Sequence, residues 1–273
     1  MSDNKPYIIV VGNEKGGTGK SMISMHIITS LLDLGFSVGS VDIDSRQGTL
    51  SRYIINRENA AQDDPTILMP THFAFNRSMN NDRKLAEEED RENMLAVMHE
   101  LQDKDFIVFD TPGSDNFASR FAHSYADTLI TPINDSFVDL DLLVHVENGK
   151  MHPSIYSEMV WNQKKNKAIR QGGTIDWIVV RNRLSNLNSR NKSEIEKVLK
   201  ELSKRLGFRV ADGFSERVIF KELFLKGLTV LDIKGQKFSM SHLSAKQELR
   251  NLLSMIPIIA ERMKSESSHK KIV

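Results

Sequence analysis

From Lys15 to Ser21 the chain reads Lys-Gly-Gly-Thr-Gly-Lys-Ser, residue types that suit one task, the holding of a polyphosphate. Gly16, Gly17 and Gly19 have no Cβ, so backbone N–H groups can close around phosphate oxygens. Lys20 adds a cation near the β- and γ-phosphates, and the Ser21 hydroxyl can ligate Mg²⁺. A strict G-x-x-x-x-G-K-[ST] pattern asks for glycine where Glu14 stands, so a literal scan passes over the loop. Carboxylates follow at two further places. Phe106-Ile-Val-Phe-Asp110 is four apolar residues ending in an acid, the pattern of a Walker B strand, whose carboxylate accepts from Mg²⁺-bound water or from the loop serine. Asp42 and Asp44 end a second apolar run. Their spacing of two puts both on one side if the strand persists and gives them different duties if it ends between them.

Elements that could position these groups are readable around them. Tyr7-Ile-Ile-Val-Val is a β-branched run of the length of a buried parallel strand, and it leads straight into the glycines. Ile23, Ile27, Leu31 and Leu34 recur at helical spacing, so a helix from about Ser21 to Leu34 ends at Gly35 and points its N-terminus at the phosphates. Further strands are expected at Ser37–Val41, Phe106–Asp110, Thr128–Ile133 and Ile175–Val180. Helices are expected at Thr49–Asn59, before the break at Asp63-Asp64-Pro65, and through Met94, Leu95, Met98 and Leu101. The acidic run at 87–90 reads as a solvated helix start. Strands alternating with helices predict an α/β fold: a doubly wound, mostly parallel sheet of the P-loop type, with nucleotide at the strand C-termini. One domain is expected over 1–273, with a flexible tail from about 257, after Pro257.

The 273 residues include no cysteine, so disulfides and cysteine-ligated zinc or iron–sulfur centres are excluded. No apolar run approaches a membrane span, and a soluble protein of the cytoplasm is expected. Net charge is +1 but uneven: residues 1–160 carry 13 basic and 25 acidic groups, residues 161–221 carry 15 and 6, and residues 222–273 carry 9 and 5. The basic middle is a candidate polyanion surface. Within it Ile195, Val198, Leu199, Leu202 and Leu206 form one helical face, with Arg190, Lys197, Lys200 and Lys204 opposite. Arg209, Arg217 and Lys221 could extend that surface. No aromatic residues interleave these cations, which favours duplex phosphates over base stacking. A merely solvated helix laced with Glu–Lys pairs is the plainer alternative.

The loop from Lys15 to Ser21 resembles the deviant P-loop of the ParA/MinD family of dimerising ATPases, and Asp110-Thr-Pro-Gly113 resembles that family's γ-phosphate-sensing switch. Val-Gly-Asn-Glu-Lys-Gly-Gly, Thr-Pro-Ile-Asn-Asp-Ser-Phe-Val-Asp, Trp-Ile-Val-Val-Arg-Asn-Arg-Leu and Arg-Val-Ile-Phe-Lys-Glu-Leu-Phe narrow the resemblance, over most of residues 6–255, to the branch that positions the division plane. The resemblance implies an ATPase with ATP and Mg²⁺ as cofactors, and the loop residues Lys15, Gly16, Gly17, Thr18, Gly19, Lys20, Ser21 and Met22 around the nucleotide. It implies that Lys15 reaches a partner's phosphates across a homodimer, that Ser21, Asp42 and Asp110 serve the metal, and that Asp44 orients the attacking water. Gly113 would sense the γ-phosphate, Asn182 would read the adenine edge, and Arg183 would border the base. Implied partners are DNA bound without sequence preference, a ParB-like centromere-binding protein and FtsZ, with no membrane and a location at nucleoid and pole. A ParA-like partitioning ATPase and a small-molecule ATP-dependent ligase are the competing readings. Lys15 disfavours the ligase, which needs no cation to cross a dimer.

Overall fold

Strands that are apolar on both faces are stable only side by side beneath two layers of helices. A computed structural model, describing residues 5–44, 47–147, 150–184, 190–233 and 239–269, has that form. In chain order the strands are β1 (Tyr7–Val11), β2 (Val38–Asp42), β3 (Thr71–Ala74), β4 (Phe106–Asp110), β5 (Thr128–Asn134), β6 (Val144–Glu147), β7 (Lys150–Pro153), β8 (Asp176–Asn182) and β9 (Arg209–Ala211). Seven of them make one sheet in the order β3-β2-β4-β1-β5-β8-β9, every pairing parallel. β6 and β7 form a separate antiparallel ribbon. The helices are α1 (Lys20–Asp33), α2 (Thr49–Asp63), α3 (Arg83–Glu100), α4 (Phe117–Tyr125), α5 (Ile155–Gln171), α6 (Arg190–Leu206), α7 (Ile219–Leu225), α8 (Met240–Ser254) and α9 (Pro257–His269), with a 3₁₀ segment at Phe137–Leu142.

Because successive strand residues point to opposite faces, β1 feeds two cores. Ile9 and Val11 pack with Val108, Ile130 and Ile178 against Ile23, Ile27 and Leu31 of α1 and Leu252 of α8. Ile8 and Val10 pack with Ile107, Phe109 and Leu129 against Met94, Phe121, Val160 and Leu199, which belong to α3, α4, α5 and α6. In register, Asp110 lies beside both Val11 and Asp42, and Asn134 lies beside Asn182. These strand ends therefore share one edge. The chain leaves β1 toward β2 on one side and later returns to fill the other, so the crevice between them opens at that edge.

To the elements expected from the sequence the structure adds the strands β3 and β9, the β6–β7 ribbon, the helices α4, α5, α7, α8 and α9, and the 3₁₀ segment. The segment expected to form a flexible tail from about 257 is helical as far as His269. Pro257 begins α9 instead of ending order, since a first-turn proline lacks only an N–H that would have no helical partner. Ile259 is fully buried, and the Arg262 guanidinium lies 5.9 Å from the Phe36 ring centre.

Candidate nucleotide-binding site

β1 delivers the chain into the glycine loop and α1 carries it away. Gly17 (φ 73°) and Gly19 (φ 91°) hold left-handed backbone that a side chain would strain. A Cβ on Gly16 or Gly17 would stand in open space, so the cradle is room that these glycines leave free. Asn13 braces the loop from below: its Nδ2 donates to Thr18 Oγ1 (2.9 Å) and to Pro132 O, while its Oδ1 accepts from Lys15 N (3.0 Å) and Lys20 Nζ (3.1 Å). Lys20 Nζ also donates to Lys15 O at 2.8 Å. Burial lowers the Lys20 pKa, and the charges of Asp110 and Asp44 oppose that shift. The resulting cavity of about 600 Å³ is lined by Gly16, Gly17, Lys20, Ser21, Asp44 and Gly113, with Met22 and Arg183 at its rim. Gly113 lies against the loop backbone, and a Cβ there would fall 2.8 Å from Gly16 N.

Beneath Ser21 two buried carboxylates stand side by side on β2 and β4. Burial pushes Asp110 up to about 7, helped by the charge of Asp42 and opposed by hydrogen bonds from Ser21 and Ser24 and by the Lys20 charge. The Ser24 hydroxyl donates to Asp110 Oδ1 at 3.0 Å. Asp42 Oδ1 accepts from Asp44 N (3.0 Å), and its Oδ2 accepts from Ser51 N and Ser51 Oγ (both 2.9 Å), so Asp42 also fixes the start of α2. Asp44, half-buried, stands past the strand end on the cavity wall. A hydroxyl and two carboxylates make an all-oxygen donor set, and two buried negative charges call for a cation; both features fit Mg²⁺.

A second cavity of about 390 Å³ adjoins the first at Gly19. Met22, Met25, Phe220 and Phe224 give it apolar walls suited to a flat ring, and Asn182 and Arg183 stand at its edge. The Asn182 amide is engaged with the loop, donating from Nδ2 to Thr18 O (2.8 Å) and accepting from Arg183 N (2.9 Å). Arg183 (φ 54°) is exposed and borders both cavities. The aromatic wall from α7 and the Asn13 brace were missed in the sequence. Asn13 offers a signal, a lone amide just before the glycines; the α7 wall offers none without the fold. Lys15 turns away from the cavity, and its Nζ pairs with Asp139, which also accepts from Asn134 N at 2.8 Å.

The basic helix is placed differently. Ile195, Leu199, Leu202 and Leu206 are buried, while Lys197, Lys200 and Lys204 are exposed on α6. Lys200 pairs with Glu196 at 2.7 Å. The Arg190 side chain lies outside the described residues. The residues of the expected extension past residue 207 are engaged within the chain. Arg209 is held by Asp176 (2.9 Å) and donates to Met255 O (2.7 Å). Arg217 forms a two-pronged pair with Glu248 (2.8 Å for one arm), and Lys221 lines the apolar cavity.

An all-parallel sheet that opens on a glycine loop above a buried acidic pair defines a P-loop ATPase of the ParA/MinD class. Within that class the chain belongs to the MipZ family: the family model described as ATPase MipZ matches residues 7–259. The septum site-determining protein MinD of Helicobacter pylori is 23% identical over 190 residues, spanning 62% of this chain and 70% of its own. An ATP complex of McdA from Cyanothece superposes with TM-score 0.58 at 15% identity, covering 90% of this chain and 97% of that one. MinD with Mg-ADP from Pyrococcus horikoshii gives TM-score 0.58 at 16% identity, covering 93% and 98%. At these identities the structural likeness concerns the fold.

Proposed function

We propose that the chain is an ATP-gated switch that dimerises around nucleotide, binds DNA without sequence preference in that state, and controls where the cell divides. The observation that carries this reading is the division of labour between the two loop lysines. Lys20 faces the chain's own cavity, whereas Lys15 stands outside it and is free of that role. In the proposed site Lys20 and the loop N–H groups hold the β- and γ-phosphates, while Ser21, with Asp110 and Asp42, would hold Mg²⁺. That ion, when bound, neutralises charge on the transferring phosphoryl group. Asp44, projecting from the cavity wall, orients water for in-line attack, and Gly113 follows the γ-phosphate. Asn182 and Arg183 frame the base slot. Nucleotide and Mg²⁺ use is supported by the neighbours, one solved with ATP and one with Mg-ADP. The exposed lysines of α6 provide a phosphate-contacting surface, doubled when two copies join. A ParB-like protein and FtsZ are the partners proposed from the division-positioning branch, with action at the nucleoid and pole in the cytoplasm. Size-exclusion chromatography with ATP, ADP and no nucleotide, followed by a DNA titration across salt, tests the reading. A chain that stays monomeric with ATP overturns it.

A further inference from the structure

α7 is about two turns long, and a helix so short keeps its place only through what it packs on. Phe220 and Phe224 are walls of the apolar cavity beside Gly19, so the width of that slot follows the position of α7. What ties α7 down at its C-terminal end is α2, where Tyr53, Asn56 and Arg57 share one face. Asn56 Nδ2 donates to Phe224 O (3.3 Å), and the Tyr53 and Phe224 ring centres are 6.1 Å apart. The turn after α7 then lies so close that a Cβ on Gly227 (φ 64°) would fall 2.1 Å from Arg57 N. Arg57 itself is 2% exposed. Its Nη1 and Nη2 donate to the two oxygens of Asp232 (both 2.9 Å), Nη1 also to Gly227 O (3.1 Å) and Tyr53 Oη (3.2 Å), and Nε to Leu68 O (2.8 Å). Asp232 Oδ2 accepts in addition from Thr229 N (2.7 Å) and Thr229 Oγ1 (2.9 Å), so the chain from 227 to 232 closes around one cation.

We infer that Arg57 is a positioning residue for the nucleotide base, acting through α7 and the phenylalanines of the slot wall; the inference rests on the nucleotide-binding reading above. Apolar contacts alone let a short helix slide, whereas a two-pronged arginine–carboxylate pair fixes direction as well as distance. A buried guanidinium that lost this partner would be strongly destabilised, so the pair holds α7 at one place. None of the described groups that the guanidinium binds lines the phosphate cavity, so its influence falls on the base end of the site. At its other end α2 is fixed by Asp42 through Ser51, and Thr49 borders both cavities. The helix that places the slot wall is thereby referenced to the carboxylates beneath Ser21, and base and phosphates are received by one frame.

Arg57→Lys keeps the charge and loses the fork. In calorimetry its affinity for Mg-ATP should fall about tenfold, while its affinity for Mg-tripolyphosphate, which has no base, should stay within about twofold of the parent's. A general loosening of the fold would weaken both ligands alike. Asp232→Asn keeps the shape and removes the charge; it should show the same selective loss and serves if Arg57→Lys fails to fold. Phe224→Ala should show it too. Adding Arg57→Lys to Phe224→Ala should cost less than about threefold more, because both act through one wall. Equal losses for the two ligands, or no loss for either, overturn the positioning role and leave the nucleotide site standing. Fully additive losses in the double variant also overturn that role. A parent that binds neither ligand overturns both.

Discussion

The nucleotide cavity and the α6 face are both rich in charge, and they hold it in opposite ways. In the cavity the buried charges are bound in place: Lys20 by two oxygens, Asp42 by a backbone N–H and both donors of Ser51. On α6 the lysines stand in water, and the Lys200–Glu196 pair is of the exposed kind that contributes little. Under the proposed function the first region works by geometry and the second by number. One substitution should disable the cavity and be insensitive to salt, whereas α6 should lose function by increments and respond to salt throughout.

The largest effect is expected for Asp44→Ala, where loss of the water-positioning carboxylate should slow phosphate release by about 10²–10⁴-fold while ATP stays bound. The trapped protein should be a stable dimer that holds DNA more tightly than the parent. An ATP-bound variant that is monomeric and indifferent to DNA would sink the switch reading. Lys20→Ala comes next, with ATP affinity falling by about 100-fold, the scale of removing two charge-assisted hydrogen bonds. Unchanged Mg-ATP binding by calorimetry would remove Lys20 from the site.

A third expectation concerns stability. His26 is buried on α1, its Nδ1 2.7 Å from Met22 O, and burial pulls its pKa down to about 4. Between the ordinary value of 6.5 and 4 the unfolded chain binds the proton and the folded chain does not, so stability falls as pH drops through that window. Asp110, raised to about 7, acts in the opposite sense and must be cancelled by comparison. The stability gap between parent and His26→Leu should therefore shift by about 3 kcal/mol in favour of the variant from pH 7 to pH 4. Urea unfolding at the two pH values gives this number, and a gap that does not move refutes it. The smallest effect per residue belongs to α6. Lys197→Glu, Lys200→Glu and Lys204→Glu together should weaken DNA binding and flatten the slope of log affinity against log salt by about 0.9 for each phosphate no longer neutralised. An unchanged slope would place the DNA surface elsewhere.

The same contrast governs what could be read from the chain. The β1–loop–α1 unit was legible because its glycines, lysine and serine are contiguous and each has one physical reason to be there. Asp42 and Asp110 were legible as acids ending apolar runs. The Asn13 brace is marked locally only by a lone amide before the glycines, and its contact with Pro132, more than a hundred residues away, has no local sign. Arg217 and Arg209 looked like free cations because Glu248 and Asp176 are distant in sequence. β3 has four residues, none fully buried, so it shows no apolar run, and the ribbon's His145, Glu147, Lys150 and His152 break any strand period. Pro257 was read as a break because its position in a helix, not its presence, decides its effect.

The closeness of Gly113 to Gly16 has a consequence for rates. With the switch backbone lying on the loop, a Cβ on Gly113 would reach to within 2.8 Å of Gly16 N, so a γ-phosphate that is to be seated between them requires the two segments to part. Parting is a first-order event that more nucleotide cannot hasten, so in stopped-flow fluorescence the observed association rate should level off at high ATP. Gly113→Ala cannot close onto the loop in this way, and its plateau should rise or vanish; a parent rate that climbs linearly with ATP would mean that the closed arrangement imposes no gate.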